Sequence, residues 1–252
     1  MGFQGLTGFG GGATGLSQAG GGTPYVLDGS WRLKISNTAK LSKTFTTTGN
    51  RATWTLSYWM KRSSSQGTKM TTMPYGGTGG SDSQYFQWGI YSNDKLWFGQ
   101  WTSIPFTSTS TFTHQNWMHV VLRIDTTNAT AADTFRAYVD GSQIAPTSVS
   151  LSGNTGNNMA ALYEWGHGNG YYPYDGWIAD IHMVDGQSLG PSSFAGTVGG
   201  SWKPIEYTGT HGTNGYHLKF TGGSNFGADS SASGNNWTEN SFTAFNYSTD
   251  VP

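Results

Sequence analysis

Two groups of side chains in this sequence have the types and spacing to do chemistry. Asp180 and His182 stand two apart in the run Trp177-Ile178-Ala179-Asp180-Ile181-His182-Met183-Val184, and residues two apart on a strand share a face. A carboxylate beside an imidazole can orient it as a general base. No serine is tied to the pair by a motif, so the expectation is a hydrogen-bonded pair on the sheet surface, with no catalytic residue. The second group is aromatic. Tyr171, Tyr172 and Tyr174 lie next to His167, Asn169 and Asp175, which gives rings to stack on a pyranose and polar groups to bond its hydroxyls. Trp97 and Trp101 offer another such platform. Against this, a chain with 11 Trp, 13 Tyr and 13 Phe needs most of them for its core and for contacts between subunits, and Tyr is at home in either place because its ring is apolar and its tip wet. His119, beside Trp117, reads as packing.

The elements that must position these groups are strands. Residues 177–184 alternate strictly, which predicts a strand with Trp177, Ala179, Ile181 and Met183 on one face and Ile178, Asp180, His182 and Val184 on the other. Asp175-Gly176 and Asp185-Gly186 bracket it with turn chemistry, and Pro191-Ser192-Ser193-Phe194 reads as a short helical turn with proline at its start. Thr53–Arg62 places Trp54, Leu56, Tyr58 and Met60 on one face, with Trp59 interrupting the polar one. Residues 116–125 place Met118, Val120, Leu122 and Ile124 together. Tyr85–Tyr91 and Lys95–Gln100 form a hairpin, as do Thr134–Val139 and Ser142–Ile144. Tyr25–Gly29 and Trp31–Ile35 read as short strands, Met73–Asp82 as a loop, Gly209–Phe220 as the final strand, and Trp237 as a buried residue ending a loop.

Composition bounds the rest. Thirty-eight glycines and 15% aromatics, with almost no helical periodicity, describe short strands and many turns. Only 11% of residues are charged and the net charge is −1, so no basic field attracts nucleic acid or an anionic membrane. The chain has no cysteine, which excludes disulfides, zinc-thiolate sites and cysteine nucleophiles. No run approaches the ~18 apolar residues of a membrane span. The glycine-rich residues 1–23 form an N-terminal arm rather than a secretory signal, and residues 24–252 form one domain. Phe3, Leu6, Phe9 and Leu16 are the arm's candidate anchors if it orders against a partner rather than staying a disordered leader.

Four strands in order carry a family resemblance: Trp54-Thr-Leu-Ser-Tyr-Trp-Met-Lys-Arg62, Trp117-Met-His-Val-Val121, Arg136-Ala-Tyr-Val-Asp-Gly141 and the strand from Trp177 to Asp185-Gly186. This sequence resembles the laminin-G-like, concanavalin A-like lectin/glucanase domain over roughly residues 25–240. The wording around Asp185-Gly186-Gln187-Ser188-Leu189 and Trp202-Lys203-Pro204 is similar to versions in virion proteins of tailed phages, many of them marine.

The resemblance implies an all-β fold, an antiparallel two-sheet β-sandwich of jelly-roll type. It also raises an enzyme reading. Retaining glycosidases need two carboxyl groups about 5–5.5 Å apart, set in the glucanase branch as Glu-x-Asp-x-x-Glu on one strand. Glu164, Glu206 and Glu239 are the only glutamates, and none starts that motif. Rim calcium in such domains would draw on Asp82, Asp94, Asp140 or Asp175, but no dense Asp-x-Asp cluster exists, so no metal and no cofactor is assigned. The resemblance therefore implies a non-enzymatic virion component: a capsid decoration, head-fibre or tail-fibre protein, homo-oligomeric and bound to other virion proteins. The alternative is an adhesin for host surface glycans, using Asn169, Tyr171, Tyr172, Tyr174 and Asp175.

Overall fold

The computed structural model describes residues 25–34, 38–63, 70–71, 75–76, 86–91, 93–100, 103–113, 115–144, 149, 151–155, 158, 160–166 and 174–252. The N-terminal arm, with Phe3, Leu6, Phe9 and Leu16, lies outside them. The first strands are β1 (Ser30–Leu33), β2 (Lys40–Thr44), β3 (Thr53–Arg62), β4 (Met70–Thr71), β5 (Tyr75–Gly76) and β6 (Phe86–Ile90). Then come β7 (Lys95–Gln100), β8 (Ser103–Thr111), β9 (Met118–Asp125), β10 (Phe135–Val139), β11 (Ser142–Gln143) and β12 (Leu162–Trp165). The last are β13 (Gly176–Asp185), β14 (Ala195–Val198), β15 (Ser201–Pro204), β16 (Tyr216–Leu218), β17 (Thr238–Asn240) and β18 (Tyr247–Ser248).

One large sheet runs β11-β10-β9-β3-β13-β1-β18, with β16 added to the far half of β13. The second layer is divided. One four-stranded sheet runs β17-β2-β12-β5 and another β4-β6-β7-β8. Every strand pairing is antiparallel. Between the layers, Trp54, Leu56, Tyr58 and Met60 of β3 and Met118, Val120, Leu122 and Ile124 of β9 share one cluster with Leu41, Trp165, Trp88, Phe98 and Phe106 of the two smaller sheets. Both faces match the sequence expectation, because period-two alternation of large apolar residues is a direct record of a half-buried strand. Each such side chain contributes about 1.5–3 kcal/mol when fully buried. The two expected hairpins, the buried Trp237 and the 3-10 turn at Pro191–Ser193 are likewise present.

Elsewhere the structure departs from the sequence reading. Residues 25–29 are not a strand, since β1 takes its partners from Ser30 onward, pairing with β13 and β18. Tyr75–Gly76, expected within a loop, pairs with β12. Two further strands, β17 and β18, come after Trp237 and close sheet edges.

The largest correction concerns β13. Ala179 lies opposite Trp59 of β3, but His182 lies opposite Ser57, so β13 carries one extra residue and Asp180–Ile181 together oppose Tyr58. Asp180 takes the left-handed conformation, φ +49°, which a bulge of this kind requires at its first residue and which Asp tolerates better than most. The bulge shifts the alternation by one. Ile178, Ile181 and Met183 therefore face the space between the sheets, while Ala179 and Val184 belong to clusters on the outer face. Trp177, expected inward, is half-buried beside cations, with the Arg32 guanidinium 4.3 Å and the Lys61 ammonium 5.0 Å from its ring.

The outer face is not solvated. Beyond the Pro191 turn the chain doubles back over it. Phe194 packs against Val121 and Val184, and Ala195 and Trp202 of the β14–β15 hairpin join Leu27, Trp59 and Ala179.

Candidate functional site

Under this cover lies a cluster of titratable side chains. Asp180 and His182 come from β13, His217 from β16 beside it, His211 from the preceding loop, and Tyr25 from the segment leading into β1. His182 and His217 face each other directly across the β13–β16 ladder. His211 is set by a tight loop. Gly212 adopts φ +78°, and a Cβ there would meet the Asp185 carbonyl at 2.3 Å. A Cβ on Gly215 would meet the His211 carbonyl at 1.8 Å. Only glycine lets the backbone pass so closely. The His211 carbonyl in turn accepts a hydrogen bond from the Asp185 N–H at 2.8 Å.

The three imidazoles stack. The His182 and His217 ring centroids are 3.8 Å apart with planes 21° apart, and those of His182 and His211 are 5.4 Å apart at 13°. Phe194 and Tyr207 close the His182 side at 5.2 and 6.0 Å. One carboxylate oxygen anchors the polar contacts. Asp180 Oδ1 accepts from the Tyr25 hydroxyl at 2.5 Å and from His217 Nε2 at 2.8 Å, and lies 3.4 Å from His182 Nε2. His182 Nδ1 lies 3.1 Å from His211 Nε2. Asp180 and His182 are 1% and 0% exposed, which overturns the expectation of a pair on the sheet surface. The segment after Pro191 buries them, a fold-back that local alternation does not encode.

Electrostatics follow from this burial. Desolvation pushes the His211 imidazole down to about 3 and His217 down to about 4, with the His182 ring adding to both. Both rings are therefore neutral near pH 7. Burial alone would raise the Asp180 carboxyl, but His182 and His217 outweigh it and hold it well below the usual carboxylate range. Burial and the Asp180 charge push the Tyr25 phenol far above its ordinary value. The arrangement offers one fixed carboxylate and several neutral ring nitrogens.

The other expected positions are dispersed. Tyr174, expected at a glycan-binding rim, is 1% exposed and sits in the inter-sheet core, with its hydroxyl donating to the Trp177 carbonyl at 3.4 Å. It cannot stack on a sugar there. Asp175 pairs with Arg32 at 2.9 Å and accepts from the Ser63 hydroxyl at 2.6 Å. His167, Asn169, Tyr171, Tyr172, Trp101 and Asp82 lie outside the described residues. Trp97 is 1% exposed and stacks with Tyr91, so it forms no surface platform. Asp94 pairs with Arg62 at 2.9 Å, and Asp140 accepts from the His119 N–H at 2.8 Å. Both adopt positive φ, a conformation that Asp in turns tolerates. His119 is packing, as expected: it bonds Ser57 at 2.8 Å, accepts from the Trp202 indole at 3.2 Å and stacks on Trp59.

Sequence reasoning missed His211, His217 and Tyr25. Their only common signal is that four of the chain's six histidines and Asp180 fall on elements that could meet β13 and its neighbours, and nothing local marks which do.

Comparison with solved structures supports the sandwich. A candidate carbohydrate-binding protein from Bacteroides ovatus superposes with a TM-score of 0.61 at 16% identity, covering 86% of this chain and 59% of its own. The chain thus spans about three fifths of that protein's length. A heptameric SAP-like pentraxin from Limulus polyphemus matches at 14% identity and a TM-score of 0.45, over 64% of this chain and 76% of its own. A NanB sialidase variant from Streptococcus pneumoniae matches at 13% and 0.48, over 68% and 29%. No curated protein matches the sequence. A family profile matches residues 33–191, well over half of the chain and all of the sandwich from β2 to the Pro191 turn, and on that match this chain belongs to the concanavalin A-like lectin/glucanases superfamily.

Proposed function

We propose that this domain is a non-enzymatic, lectin-like module that serves as a structural component of a tailed-phage particle: a capsid decoration, head fibre or tail fibre. The observation that carries the non-enzymatic reading is where the carboxylates are. Glu164 is paired with Lys40 at 2.6 Å on β12. Glu239, on β17 at the other edge of β2, sits one register position away, so the two side chains point to opposite faces. Glu206 is exposed. Asp185 is buried and occupied by Asn50 N–H, the Asn158 amide and Asn214 N–H at 2.7, 2.5 and 3.0 Å. No two of these form the closely spaced acid and nucleophile that glycoside cleavage needs. The virion setting rests on the wording around Asp185-Gly186-Gln187-Ser188-Leu189 and Trp202-Lys203-Pro204, and its partners would be other virion proteins and further copies of this chain.

A second reading, an adhesin for host surface glycans, draws on the family itself and on the carbohydrate-binding description of the Bacteroides ovatus protein. In that reading Asn169, Tyr171 and Tyr172 make the contact, without Tyr174. Two experiments test these readings. Incubation with laminarin-type β-glucans and with sialylated glycans should release no product, and turnover lost on Glu164→Gln would overturn the non-enzymatic reading. Mass spectrometry of particles purified from a lysate encoding this chain should find it in intact virions. Absence there, with glycan-array binding abolished by Tyr171→Ala/Tyr172→Ala, would favour the adhesin.

A further inference from the structure

Neither reading uses the densest gathering of ligand-competent atoms among the described residues. One nitrogen from each of His182, His211 and His217 lies within 4.8 Å of the other two. Asp180 Oδ1 lies 2.8 Å from His217 Nε2 and 3.4 Å from His182 Nε2, behind the Nε2 side of both rings. Nδ1 is the remaining ligand nitrogen on each of these two rings. His182 Nδ1 points at His211 Nε2, 3.1 Å away. A carboxylate behind an imidazole is also the arrangement that orients metal-binding histidines and fixes their tautomer.

We propose that His182 Nδ1, His211 Nε2 and His217 Nδ1 bind one divalent transition-metal ion of the zinc class, with Asp180 as the positioning residue behind His182 and His217. Around a tetrahedral ion at ~2.0–2.1 Å, ligand nitrogens stand about 3.4 Å apart. The His182–His211 pair is already near that spacing, and a nitrogen of His217 lies within 4.8 Å of a nitrogen of each. The rings now stack side by side, so binding tilts His211 and His217 until their lone pairs converge. Imidazole nitrogens select this class of ion over calcium or magnesium, which take oxygen ligands. The ion would tie β13, β16 and the loop before β16 together in a chain that has no cysteine for the purpose.

The test uses the full chain, stripped with a chelator and dialysed. Calorimetric titration with Zn2+ should show one ion per chain, and Co2+ should give the intense visible bands of a tetrahedral site. Thermal stability should rise with Zn2+ and not with Ca2+ or Mg2+ at the same concentration. His211→Ala, which alters a loop residue, should lose the stoichiometric site, and Asp180→Asn should weaken binding about 10–100-fold. Absence of saturable Zn2+ binding and of cobalt bands in the parent overturns the proposal without recourse to any variant. Parent-like binding by a folded His211→Ala overturns it equally.

Discussion

The two faces of the large sheet are both buried, yet by different physics. The inner face is sealed by sheet against sheet. Trp54, Leu56, Tyr58, Ile178 and Ile181 meet the tryptophans and phenylalanines of the smaller sheets, and burial of apolar area holds them with no need of direction. The outer face carries Ser57, His119, Asp180 and His182, side chains that cost free energy to bury unless each finds a partner. The chain after Pro191 provides them: Trp202 for His119, and His211 and His217 for the Asp180–His182 pair. The family match ends at residue 191, and most of the cover over the polar outer face comes from the stretch of chain that follows.

Four experiments probe this contrast. The largest effect is expected at Phe194, fully buried in the outer cover. Phe194→Ala should cost about 3–5 kcal/mol in urea denaturation, as much as an inner-face truncation, and a loss under ~1 kcal/mol would mean that the cover is loosely applied. Ile178→Ala should come next at about 2–5 kcal/mol, since the bulge turns Ile178 inward.

Third comes pH. Burial pushes His119 down to about 3 from an ordinary 6.5. Below pH 6.5 the unfolded chain takes up a proton there that the folded chain refuses until about pH 3. The stability contribution is thus complete above pH 6.5 and falls with pH through that window, reaching a loss of about 2 kcal/mol at pH 5. His119→Asn should show a shallower decline than the parent between pH 7 and 5, and identical slopes would remove His119 from the account. The smallest effect is expected at Trp177. Half-buried beside Arg32 and Lys61, it should cost only about 1–2 kcal/mol when replaced by Ala, and a loss of 3–5 kcal/mol would return it to the inner face and remove the bulge.

Everything that repeats locally could be read from the chain alone. The alternation of Trp54, Leu56, Tyr58 and Met60, and of Met118, Val120, Leu122 and Ile124, is legible because a strand's facing follows from residue parity. The hairpins and the Pro191 turn are legible because glycine, asparagine and proline act on their own backbone. The rest depended on tertiary contacts. Residues 177–184 alternate as cleanly as β3, yet the extra residue at Asp180 inverts the outcome for Trp177 and Ile178, and only the pairing of β13 with β3 on one side and with β1 and β16 on the other reveals it. Tyr174 reads as a rim residue until its ring is found in the core. The histidine cluster joins His182 to His211 across 29 positions and Asp180 to His217 across 37. Such contacts depend on where the chain returns, and the return is set by the free energy of covering a whole face of the sheet, a quantity that no short stretch of sequence contains.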